Sequence, residues 1–409
     1  MQALAGVRVL ELTAAMAGPW IGRFMAACGA EVIRVESRKH PDVVRLYVPP
    51  RAPERGIQPR DSPWFTDWNA GKLFVALDLA RPKAIELFLR LVTRADVVVS
   101  NYSAGVMARL GLDYERLRRA NEKIVVFATS GYGETGPCSS YVTWGPNIEA
   151  LSGLATLSGF PHRECAVTQY AYPDVLSALH GLFAVMCALV HRRRTGQGQY
   201  IDLAQFETTV AAVGDVVMER LANGVEPARL GNRSRHYAPH GCYRCRGDDR
   251  WCVIVVRDEP EWARFCDVVG EPGWTNDPRF ADRERRLAHA DELDAAIERW
   301  TAVRDADTVM AALQGAGIAA GVVQHVGDLV RADRQLAARR FFEEIEHLAK
   351  GTVVAAGIPL GLTGTPVRSG RSGAGVGEDN DHVFGTLLGM SRDEIRACIE
   401  DGAIESADG

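Results

Sequence analysis

The chain has 409 residues, 47% of them hydrophobic, which is room for roughly two to three domains or for one large domain with a smaller one inserted. A formal net charge of −5 and a pI of about 6.1 speak against a nucleic-acid partner, which requires a basic excess. The 9 scattered Cys point to reduced thiols and not to a disulfide framework, and no apolar run reads as long enough to cross a membrane.

In chain order, "GVRVLEL" (Gly6 to Leu12) reads as a strand, Gly18 to Cys28 as a helix and "AEVIRVE" (Ala30 to Glu36) as a second strand. Strand, helix, strand within so short a span is a βαβ unit and implies a parallel sheet. The N-terminus is thus a strand and no leader, and the expectation is a cytoplasmic protein. "KLFVALDL" (Lys72 to Leu79) adds a strand, and "PKAIELFLRLVTRA" (Pro82 to Ala95) has helical period with Pro at its start. "DVVVSNY" and "KIVVFATSGYG" continue the alternation, so residues 1–205 read as a doubly wound α/β layer. The long apolar stretch from Val175 to Val190 is interrupted by His180 and followed by Arg192, Arg193 and Arg194. "GCYRCRGDDRWCVIVVRD" (Gly241 to Asp258) reads as a hairpin around Gly247, Asp248 and Asp249, with helical segments after it. Residues 225–325 therefore read as a smaller α+β domain. "AAGVVQHVGDLV" reads as a return to the first style, and residues 335–409 complete the large domain. Thr363 to Asp379 is Gly/Ser/Pro-rich and is expected to run extended over the surface. "MSRDEIRACIEDGAI" reads as an amphipathic helix capped by Ser391.

The first βα turn, "ELTAAMAGPWIG", has neither G-x-G-x-x-G nor G-x-x-x-x-G-K-[ST], which removes simple dinucleotide and P-loop readings. Cys242 and Cys245 form a C-x-x-C near His240 and Cys252, but no second pair follows at zinc-finger spacing, so no metal is expected. The absence of G-x-S-x-G removes the serine-hydrolase elbow, and no base is marked for Cys138. Asp174 sits where "AYPD" turns into the long apolar helix. On spacing alone it reads as a cap, favoured by the positive end of the helix dipole. The same place also suits an ionised carboxylate beside backbone N–H groups.

"LAGVRVLELTAAMAGPWIGRFMAACGAEVIRVES" resembles the N-terminal signature of the class III CoA-transferases. "WNAGKLFVALDL", "ADVVVSNYSAGVMARLGLDYERL", "GYGETGP", "ALSGLATLSG", "HRRRTGQGQYIDLAQFE" and "AARRFFEEIEH" match further blocks in order, over nearly the whole chain. The resemblance implies a Rossmann-like large domain with a smaller inserted α+β domain, in an interlocked dimer whose Gly-rich C-terminal segment wraps the partner. It makes Asp174 the nucleophile, passing through an aspartyl anhydride and an aspartyl-CoA thioester. It places Arg34 beside adenine or the ribose phosphate, Lys72 and Leu73 at the nucleotide, Asn101 and Arg109 at the diphosphate, and Met16 and Ala17 at the pantetheine entrance. Trp144 and Asn147 of "WGPN", and His236, Tyr237 and His240 of "GNRSRHYAPHG", are weaker candidates for the substrate pocket. Coenzyme A thioesters are substrates, and no permanently bound cofactor is implied.

The implied reaction moves CoA from an acyl-CoA, with succinyl-CoA as a candidate, to a carboxylic acid, with an aryl- or alkyl-substituted acid as the acceptor. A racemase would pair Asp174 with a histidine, but no histidine lies between Cys138 and Phe160. A non-catalytic acyl-CoA-binding subunit is the other alternative. Partners are these small molecules, with no nucleic acid or membrane, and a second like chain or a homologous subunit.

Overall fold

The Val- and Ile-rich runs of the first half form β1 (Arg8–Leu12), β2 (Glu31–Glu36), β3 (Leu73–Ala76), β4 (Val97–Ser100), β5 (Val125–Ser130) and β6 (Tyr200–Ala204). They make one six-stranded sheet in the order β3-β2-β1-β4-β5-β6, parallel at every pairing. The structure, a computed structural model, describes residues 2–47, 62–168, 170–347, 350–372 and 375–407. β4 and β5 are buried at every residue, as expected of parallel strands covered on both faces.

Helices supply the covers: α1 (Ala17–Ala27), α2 (Pro63–Trp68), α3 (Pro82–Val92), α4 (Gly145–Leu151), α5 (Tyr172–Thr195) and α6 (Gln205–Ala212). Alternate strand residues serve alternate faces. Leu10, Val98 and Val126 pack with Phe88 and Leu91 of α3. Val9, Val97 and Phe127 pack with Ile21 and Met25 of α1 and with Ala178 and Val185 of α5. Gly181 lets α5 approach closely, since a Cβ there would lie 2.6 Å from Phe127 and 2.9 Å from Ile21.

α5 corrects one expectation: by length and composition it is apolar enough to cross a membrane. The interrupting His180 did not shorten it, because its ring bonds back to the Leu176 carbonyl at 2.8 Å and leaves the helix ladder intact. Its Ser177, Ala178, Gly181, Val185 and Ala188 face is buried in this unit.

Two compact units are present. The first comprises residues 1–155, 167–224 and 335–409, and the second residues 156–166 and 225–334. The second unit holds a three-stranded antiparallel sheet of β7 (His240–Arg244), β8 (Trp251–Val255) and β9 (Ala319–Val322). Helices α7 (Glu259–Val269), α8 (Ala290–Thr301) and α9 (Ala306–Gly315) follow the hairpin. Phe265, Leu293, Ile297 and Leu313 from these helices close on Ile254. The "AAGVV" stretch does not return to the first sheet: it is β9 and pairs antiparallel with β8. Its small residues fit a strand beside Val253, since a Cβ added at Gly321 would lie 3.5 Å from that side chain.

The last part of the chain adds the antiparallel pair β10 (Phe342–His347) and β11 (Gly351–Ala356) and helix α10 (Arg392–Glu400). Ser391 caps α10 in a capping box with Glu394, whose carboxylate accepts the Ser391 N–H at 2.7 Å. The Gly-rich segment ties back to its own unit: Arg368 N–H donates to Ala27 and Gly71 N–H to Arg371. Gly373 and Ala374 within it lie outside the described residues.

Candidate active site

The strand order reverses between β1 and β4, and open parallel sheets bind ligands at the carboxyl ends of the strands at such a switch point. A pocket of about 530 Å³ lies there, bounded by Thr13 and Ala14 after β1, His40 and Asp42 after β2, and Asn101 and Tyr102 after β4. A second pocket of about 220 Å³ shares Ala14, Asn101 and Ser103 with it and has Trp144, Asp174 and Gln205 in its wall. The shared residues are a common wall, so the two pockets lie side by side along one groove at the carboxyl ends of the strands, with Asp174 in the wall of the second.

Asp174 lies in the first turn of α5, behind the N-cap residue Ala171, whose side chain makes no cap hydrogen bond. It is half-buried. Burial pushes its carboxyl up from 3.8 to about 6, opposed by hydrogen bonding from the Gln205 side chain, the Ala17 N–H and its own N–H. The turn is fixed from below: Ser177 Oγ donates to the Pro173 carbonyl at 2.7 Å and pairs with Thr208 of α6 at 3.0 Å. α6 begins at Gln205, so this contact sets Gln205 beside Asp174. Gly145, the first residue of α4, closes the other side; a Cβ there would lie 3.2 Å from Asp174 Oδ2. The Thr129 and Ser130 hydroxyls at the end of β5 border the same pocket and have no hydrogen-bond partner among the described residues.

A third pocket of about 480 Å³ is lined by Met16, Tyr47, Trp64, Trp68, Tyr170 and Ala171 among others. Ala171 and Met16 connect it along the chain to Asp174 and Ala17. Its wall is largely aromatic.

The sequence candidates divide between these places. Arg34 and Asn101 border the first pocket, Asn101 and Trp144 the second, and Met16 the third. Arg34 is fully buried, and its guanidinium binds Asn69 at 2.6 Å, Asp42 at 2.5 Å and the Thr13 carbonyl at 3.0 Å. Burial opposes its charge, but Glu36, Asp42 and Glu11 outweigh that and hold it protonated. Lys72 is not presented to any of the pockets. Its ammonium is buried on Glu11 at 2.8 Å, the Pro19 carbonyl at 2.7 Å and Asn69 at 2.9 Å. Burial lowers its pKa to about 8 against the pull of Glu11. Leu73 is half-buried in β3 and packs on the core. Arg109 is exposed on the single turn Val106–Arg109, where Val106 and Leu110 line the first pocket. Asn147 is exposed and accepts the Trp144 N–H at 3.2 Å, which caps α4. His236, Tyr237 and His240 belong to the second unit: His236 and Tyr237 form an edge-on ring pair, and His240 Nδ1 pairs with the Asn232 carbonyl at 2.7 Å.

Sequence reasoning missed Gln205, Gly145, Asp42 and the Tyr47–Trp64–Trp68 wall. Asp42 had a signal, a Pro-Asp pair before "VVRL", where it caps a short turn through the Val44 N–H at 2.9 Å. Gln205 carried none, since its role appears only when β6 is laid beside β5.

The sequence model described as CoA-transferase family III matches residues 4–380. The succinate–glutarate CoA-transferase of Agrobacterium fabrum is 30% identical over 390 residues, covering 95% of this chain and 96% of that protein. The succinyl-CoA–D-citramalate CoA-transferase of Chloroflexus aurantiacus is 30% identical over 392 residues, 96% of each chain. A CAIB/BAIF family protein from Brucella suis superposes with a TM-score of 0.86 at 30% identity, covering 94% of this chain and 99% of its own. A parallel sheet with its groove at the switch point, and a match running nearly end to end, lead to one conclusion: the chain belongs to CoA-transferase family III and is a transferase that moves coenzyme A between an acyl-CoA and a carboxylic acid.

Proposed function

We propose that Asp174 carries the transfer as a covalent nucleophile. The observation that carries this reading is its place: a half-buried carboxylate with a raised pKa in the wall of the groove, beside a backbone N–H and an amide. One Asp174 oxygen attacks the donor thioester carbonyl and CoA thiolate leaves, forming a mixed anhydride. The thiolate attacks the Asp174 carbonyl and releases the donor acid, forming an aspartyl-CoA thioester. The acceptor carboxylate attacks that carbonyl, CoA thiolate leaves again, and its sulfur takes the acceptor acyl group from the second anhydride. Each step exchanges one acyl bond for another of similar energy, which is how covalent catalysis divides a hard exchange. Partial desolvation makes the carboxylate a better nucleophile, and the Ala17 N–H and Gln205 amide face the developing oxyanions.

Coenzyme A lies along the groove in this reading. The adenosine part takes the larger pocket, with Arg109 and His40 at its rim for phosphate, and pantetheine passes Ala14 and Asn101 toward Asp174. The aromatic third pocket favours an acceptor with an aryl or alkyl substituent, and succinyl-CoA is the first donor to test because two similar proteins are named for succinate or succinyl-CoA. The racemase alternative loses ground here, since no histidine among the described residues lines the Asp174 pocket. The assignment of His236, Tyr237 and His240 to the substrate pocket rests on the resemblance alone.

The protein is an interlocked dimer in this reading. Phe183 and Val190 on α5 are 72% and 51% exposed, an apolar face that suits a second copy. Sedimentation at nanomolar concentration is expected to find a dimer; a monomer would contradict threading.

The experiment is covalent trapping. The protein is incubated with a panel of acyl-CoAs including succinyl-CoA, quenched with borohydride or hydroxylamine, digested and mapped by mass. Modification at Asp174 that is absent in Asp174→Asn is the expected result. CoA binding with Asp174 left unmodified would favour the non-catalytic binder.

A further inference from the structure

Between β1 and α1 run Thr13, Ala14, Ala15 and Met16. Met16 is the N-cap residue of α1 and makes no side-chain cap bond. Ala15 has a φ of 57°, in the left-handed region that costs a residue with a Cβ about 1 kcal/mol or more. Such a loop does not hold its own shape, and side chains from three other places hold it. Asn101 closes on Ala14 from both sides, accepting its N–H at 2.8 Å and donating to its carbonyl at 2.7 Å. Asp42 Oδ1 accepts the Ala15 N–H at 3.0 Å. Arg34 donates to the Thr13 carbonyl at 3.0 Å and grips the other oxygen of Asp42 at 2.5 Å. Asp42 is 4% exposed and Arg34 0%, so water does not compete for either. Ala14 and Ala15 line the pocket that holds Asp174, and two residues past Ala15 the N–H of Ala17, the first residue of α1, supports the Asp174 carboxylate.

We propose that Asp42, together with Arg34 and Asn101, is a positioning residue for the transfer: it fixes the β1–α1 loop so that the Ala17 N–H stays aimed at the Asp174 carboxylate. The proposal rests on Asp174 being the group that carries acyl and CoA. When thiolate sulfur attacks the Asp174 carbonyl carbon, the π pair moves to oxygen, and that oxygen holds the charge until the donor carboxylate leaves. A donor already aimed at that oxygen stabilises it without reorganisation. A loop released by about 1 Å loses on the order of 100-fold in rate. The residues that hold the loop then govern the rate of the chemistry at saturating acyl-CoA.

The test compares wild type, Asp42→Ala and Asn101→Ala in three readouts: affinity for free CoA, amide exchange of the peptide spanning residues 13–17, and the single-turnover rate of Asp174 trapping with succinyl-CoA. Both variants are expected to exchange faster in that peptide and, at saturating succinyl-CoA, to trap about 10- to 100-fold more slowly. If Asp42→Ala does not fold, Asn101→Ala carries the comparison, because its half-buried side chain leaves little void. Unchanged exchange overturns the proposal. So does a slower rate that saturating succinyl-CoA restores to the wild-type value. A wild-type chain whose Asp174 is never trapped overturns the transfer reading instead, and the exchange of residues 13–17 still decides whether the clamp exists.

Discussion

The Lys72 ammonium lies 2.8 Å from Glu11 Oε2, with both side chains closed to solvent. Neither charge has water to fall back on. Removing one partner of such a pair costs about 3–5 kcal/mol, whereas replacing both by apolar groups is often neutral. Lys72→Met is therefore expected to destabilise the fold by about that much, and Glu11→Leu with Lys72→Met to recover most of it, as read by urea denaturation. CoA affinity in the double variant is expected to match wild type. A large loss there would return Lys72 to the nucleotide.

Asp174 is expected to set the acid side of the rate profile. Below about pH 6 its carboxyl is protonated and cannot attack, so kcat/KM for CoA transfer should rise through about 6 and level off above it. The fold feels the opposite sign. A carboxyl whose pKa is raised on folding favours the folded state below its unfolded value of 3.8, and that contribution is lost as pH rises through about 6. Asp174→Asn should abolish trapping and yet raise stability at pH 7.5 by about 1–3 kcal/mol, the pocket's openness trimming the figure. A Tm equal to or below that of wild type would contradict this.

Gly145→Ala tests the closeness of α4 to Asp174. The added Cβ would meet Ala171 at 3.0 Å and Asp174 Oδ2 at 3.2 Å, so one of them must give. A fall in kcat of about 10- to 100-fold with little change in Tm is expected from steady-state rates and calorimetry. Wild-type kcat would mean that the carboxylate has room to spare.

Trp64→Ala opens the aromatic pocket. KM for aryl-substituted acceptor acids should rise more than KM for short dicarboxylic acids, because only the former fill that wall. Equal effects on both acid classes would place the acyl group elsewhere.

The large unit was readable because parallel strands buried on both faces are written as apolar runs, and "VRVLEL", "VIRV" and "VVVS" are such runs. The capping box at Ser391 was readable because it is local. Charges were the least readable. Arg34 and Lys72 look alike on paper, two cations at strand positions that the resemblance puts at one ligand. Whether a cation meets a phosphate or a carboxylate depends on Glu11, Asp42 and Asn69, and Glu11 of β1 reaches Lys72 only across the sheet. β9 was misread for a related reason: "AAGVV" carries no alternation, and its pairing with β8 joins residues far apart in sequence.

One edge of the groove is completed late. Glu405 accepts the Ser37 hydroxyl at 2.8 Å and the Arg38 N–H at 2.6 Å, and its own N–H donates to the carbonyl of Ala76, the last residue of β3. Ser37 borders the large pocket. During synthesis the first sheet strands leave the ribosome long before Glu405 does. The nascent chain therefore holds an unfinished rim until Glu405, beyond α10, has been made, and a chain cut before residue 405 would keep Asp174 while losing the brace beside the large pocket.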